Sequence, residues 1–81
     1  MEFIIRDYVD KMTEDDISNF ALKEGLSLTD DERRTIYMYI KNYWRVFFKE
    51  DPTYLFEELK EKLSPAVYQK TLELYNKYKR K

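Results

Sequence analysis

Arg34, Lys41 and Arg45 fall within about 40° of one another on a helical wheel, and Tyr37, Trp44 and Phe48 border them. Cations interleaved with flat rings can do two kinds of chemistry. Basic groups contact phosphates while aromatic faces stack on bases, an arrangement suited to single-stranded nucleic acid. Trp, Tyr and Arg are also the residue types enriched at the hot spots of protein interfaces. The formal net charge of −1 favours the second use, because domains that bind nucleic acid carry clearly basic patches. The simpler competing reading makes the rings core and the bases a solvated rim.

Little else in the chain could react. It contains no His and no Cys, which removes the commonest general base and the most reactive nucleophile, along with the usual soft metal ligands. Ser18, Ser27 and Ser64 lack the adjacent base that a serine nucleophile requires, and their positions suit helix starts and turns. One glycine cannot build a phosphate-cradling loop. Asp15-Asp16 and Asp30-Asp31 lack the alternation and central glycine of a calcium loop. These carboxylates are expected to serve helix first turns. The chain therefore reads as a non-enzyme with no cofactor and no metal.

Two further features bear on partners. Residues 1–32 carry a balance of −7 and residues 33–81 one of +6, a segregation that could orient a charged partner or draw the halves together. Ala21 and Gly25 have the A-x-x-x-G spacing of a helix-turn-helix, but the helix that would enter DNA opens with Asp30-Asp31-Glu32. Phosphate would repel it there.

The elements that position these residues are helices. One glycine and two prolines are too few for the turns of a β-rich domain. Ile5, Tyr8, Val9 and Met12 keep helical spacing in a first segment from about Glu2 to Lys11. Thr13 suits an N-cap, with acidic Glu14, Asp15 and Asp16 at the positive end of the dipole. The second helix stops at Gly25, where a left-handed residue is wanted. Thr29 and Glu32 have capping-box spacing and open a long third helix, about Asp30 to Lys49, whose apolar arc covers roughly 200°. Asp51-Pro52 and Ser64-Pro65 each read as N-cap followed by N1 and open the fourth and fifth helices. The basic end, residues 77–81, is expected to fray.

An 81-residue chain without disulfides has a thin core, which its 8 Tyr, 5 Phe and 1 Trp must fill. The expected core is Ile17, Phe20, Leu28, Ile36, Ile40, Tyr43, Phe47, Leu55, Leu59, Leu63, Leu72 and Tyr75. The expected fold is all-α: a compact bundle of four to five short helices around a long central third helix, in a single domain over residues 1–81.

The order of landmarks carries a resemblance. Met12-Thr13 precedes an acidic helix start, Ala21 and Gly25-Leu26-Ser27-Leu28-Thr29 follow, and a long helix with Ile36 and Ile40 leads to Phe47-Phe48. Leu55, Leu59 and Leu63-Ser64-Pro65 complete the series. From about Met12 to Tyr78 the chain resembles the YqfT-like proteins, a family of small cytoplasmic proteins of unknown function from Bacillus-type Firmicutes. It is more aromatic and more charged than that family between Tyr37 and Phe56. The resemblance implies a bacterial, small helical bundle and supplies no active site.

Phe3-Ile4-Ile5 is too short for a signal-peptide apolar region, and no stretch approaches the roughly 20 apolar residues of a membrane span, so a cytoplasmic location is expected. The leading functional expectation is a protein-protein interaction module, an adaptor or regulator, with Arg34, Tyr37, Lys41, Trp44, Arg45 and Phe48 contacting an unidentified protein partner. The alternative is RNA or single-stranded nucleic-acid binding through the same ridge and the basic C-terminus. A homodimer burying the second aromatic stripe of the third helix is a third reading.

Overall fold

The computed structural model describes residues 2–79, with side chains described for residues 5–77. These residues form five helices: α1 (Glu2–Lys11), α2 (Glu14–Lys23), α3 (Asp30–Lys49), α4 (Thr53–Lys62) and α5 (Pro65–Lys79). The fold is all-α, with no strand among the described residues and a third helix of 20 residues. The basic end is helical as far as Lys79, whereas Arg80 and Lys81 lie outside the described residues.

Local side-chain chemistry sets the helix ends. At α2, the Thr13 hydroxyl accepts the Asp16 N–H (3.2 Å) and the Asp16 carboxylate accepts the Thr13 N–H (2.9 Å). At α3, Glu32 and Thr29 make the same reciprocal pair, both bonds at 3.1 Å. Each capping box satisfies two backbone donors that the helix cannot. Glu32, which makes one of these pairs, is buried. Helix α2 ends in a Schellman motif: the Gly25 N–H reaches Leu22 O (3.0 Å) and the Leu26 N–H reaches Ala21 O (2.8 Å). Gly25 takes φ 83°, the left-handed region in which a side chain is disfavoured.

The start of α4 departs from expectation by one residue. The Pro52 carbonyl accepts from Leu55 N (2.9 Å) and Phe56 N (3.0 Å), which makes Pro52 the N-cap and not N1. Asp51 still contributes from one position further out, where its Oδ1 accepts from the Thr53 N–H (3.1 Å) and hydroxyl (2.6 Å). An aspartate reaches the N–H two residues on in this way. At α5 the expected order holds, with Pro65 first in the helix and the Ser64 carbonyl accepting from Tyr68 N (2.8 Å).

The chain divides into two compact units, residues 1–44 and 45–81. Tyr43, inside α3, leaves helical torsions (φ −129°, ψ 21°), and the division falls just after it, between Trp44 and Arg45. Among the described residues of the first unit the buried apolar side chains are Val9, Met12, Ile17, Ala21 and Trp44. In the second they are Leu55, Phe56, Leu59, Leu63 and Val67. Leu55, only 1% exposed, is the most deeply buried, and burying a leucine side chain contributes roughly 1.5–3 kcal/mol. Phe47, Phe56 and Tyr75 form a ring cluster in the second unit, with centroids 5.6, 6.2 and 5.0 Å apart. It ties the end of α3 to α4 and α5 through tilted and edge-on contacts, the arrangements that aromatic quadrupoles favour.

Two expected core residues are exposed. Phe20 is 42% exposed, because α2 buries the face of Ile17 and Ala21, which lie at i and i+4. Tyr43 is 38% exposed at the break in α3, where its ring sits 5.6 Å from that of Tyr39. Ile17, Leu55, Leu59 and Leu63 are buried as expected, while Leu28, Ile36, Ile40, Phe47, Leu72 and Tyr75 are half-buried.

Candidate interaction surface on the third helix

The six candidate residues are divided by the break in α3. Arg34, Tyr37, Lys41 and Trp44 belong to the first unit, and Arg45 and Phe48 to the second. A single wheel at 100° per residue assumes unbroken helix. Tyr43 departs from helical torsions, so one wheel does not run across it, and the candidates on each side are described separately.

Within the first unit the candidates do structural work. The Lys41 Nζ donates to the carbonyl of Asp10 at 2.8 Å, in the last turn of α1, where carbonyls lack helical partners. A cation at that end also complements the helix dipole. The same Nζ lies 5.6 Å from the centroid of the Tyr37 ring, within cation–π range. Tyr37 is itself half-buried. Arg34 is exposed, and its Nη1 lies 3.4 Å from Asp31 Oδ1, an i,i+3 surface pair worth only a few tenths of a kcal/mol. Trp44 is 8% exposed and belongs to the core. Its type suited an interface hot spot; its burial makes it packing.

In the second unit Arg45 is exposed, and Phe48, three residues further along the helix, exposes 54% of its surface. Tyr54, also in this unit, is 51% exposed. Among the described residues of the second unit these are the aromatic rings that solvent reaches most.

Sequence reasoning missed Arg33. Its Nε contacts Glu14 Oε1 at 3.1 Å and its Nη1 contacts Asp30 Oδ1 at 2.9 Å. One guanidinium thereby links the first turns of α2 and α3, both crowded with carboxylates. The hydrogen bond to Glu14, followed by that to Asp30, raises the Arg33 pKa above its ordinary value. Arginine stays charged throughout the neutral range, so the link is not lost there through Arg33. The i,i+3 spacing of Asp30 and Arg33 was visible in the sequence, but the Glu14 contact spans 19 residues.

Among the described residues no group of three or more acidic side chains is arranged to hold a metal ion, and every buried side-chain nitrogen or oxygen has a hydrogen-bond partner. No described helix is long and apolar enough to cross a membrane. No protein-family model, curated protein or solved structure matches the chain.

Proposed function

We propose that this chain is a non-catalytic protein-interaction module, an adaptor or regulator of cytoplasmic type, and that its contact with a protein partner centres on Phe48 and Arg45. The observation that carries this reading is the exposure of the Phe48 ring, 54%, at the end of α3. Fully burying an exposed Phe side chain contributes roughly 1.5–3 kcal/mol, and a partner that covers the exposed half of Phe48 recovers about half of that. Arg45 adds the cation that interface hot spots favour beside an aromatic ring. The absence of His and Cys supports a non-enzymatic role, and the YqfT-like resemblance adds no active site to it.

The nucleic-acid alternative is less well supplied than the spacing of the cations suggests. Lys41 is engaged with the Asp10 carbonyl, which leaves one cation fewer for phosphates. The test is capture with the tagged full chain from native lysate at low salt, run in parallel with Phe48→Ser and with Phe48→Ser/Arg45→Ala. A stoichiometric protein that the parent retains and the folded variants lose supports the proposal. Equal retention by variants with parental circular dichroism removes this surface. Nucleic acid in the eluate that is released by salt supports the alternative, since phosphate contacts weaken steeply as salt rises.

A further inference from the structure

No further inference is drawn: the strongest candidate, the exposed apolar patch of Phe48 and Tyr54 on either side of the α3–α4 turn, is an unpartnered face whose adjacent charges in sequence, Arg45 and Lys49 against Glu50 and Asp51, cancel, so nothing in the structure shows what covers it.

Discussion

Trp44 and Phe48 sit four residues apart, and the sequence assigns both to one contact surface. The structure separates them, and truncating each to alanine measures the separation. Trp44 is 8% exposed, and replacing a buried Phe or Trp by Ala costs about 3–5 kcal/mol in lost transfer energy and cavity formation. The small part of the ring that remains accessible places Trp44→Ala near the lower end, at about 3 kcal/mol. A chain of this length holds a total stability of only about 4–12 kcal/mol, so the loss is at least a quarter of it. In a domain of this size each kcal/mol moves the thermal midpoint by about 4–8 °C. Trp44→Ala should therefore melt about 12–24 °C below the parent when followed by far-UV circular dichroism. Phe48→Ala removes a ring that is 54% exposed, and such surface changes usually stay within about 0.5 kcal/mol. Its midpoint should shift by no more than about 4 °C. A Trp44→Ala variant that melts with the parent, or a Phe48→Ala variant that loses as much as Trp44→Ala, would refute the assignment of one ring to the core and the other to the surface.

Other perturbations follow from the helix ends. Thr29→Ala removes the hydroxyl that caps α3, which should cost about 1 kcal/mol in urea unfolding; an unchanged midpoint would mean that solvent replaces the cap without loss. Gly25→Ala should cost about 1–2 kcal/mol through left-handed backbone alone, since nothing lies within 4 Å of the added Cβ. Gly25→Asn should recover part of that cost, because Asn tolerates this conformation, and equal losses would argue against a backbone origin. Lys41→Met keeps most of the side chain's apolar stem but not its charge, and should cost about 0.3–1 kcal/mol. It should also speed amide exchange selectively in α1, so exchange that stays at the parental rate there would show that the Asp10 contact does not hold the helix end.

The helices were legible because their causes are local. Thr29 and Glu32, Ala21 through Leu26, and Ser64-Pro65 carry their instructions within a few residues, and hydrogen bonds over those spans reproduce them. The Pro52 discrepancy is of the same local kind: Asp51 reaches past the proline, so the pair occupies positions one residue earlier than the usual pattern. The break at Tyr43 left no such mark. Sharp kinks usually come with Pro or Gly, and residues 30–49 contain neither. An uninterrupted wheel was the natural reading, and the non-helical torsions of Tyr43 are what it lacked.

The sequence by itself determined that the chain is helical, where most of its helices start and stop, and that it holds neither His nor Cys. These follow from capping, periodicity and composition, all of which act at short range. Only tertiary structure decided which aromatic ring is buried and what each cation does. Trp44 and Phe48 are equally apolar, and a wheel cannot tell the side of a helix that meets other elements from the side that meets water. Likewise Lys41 and Arg33 look like any surface bases until the fold brings Asp10 and Glu14, far away in sequence, within hydrogen-bond reach.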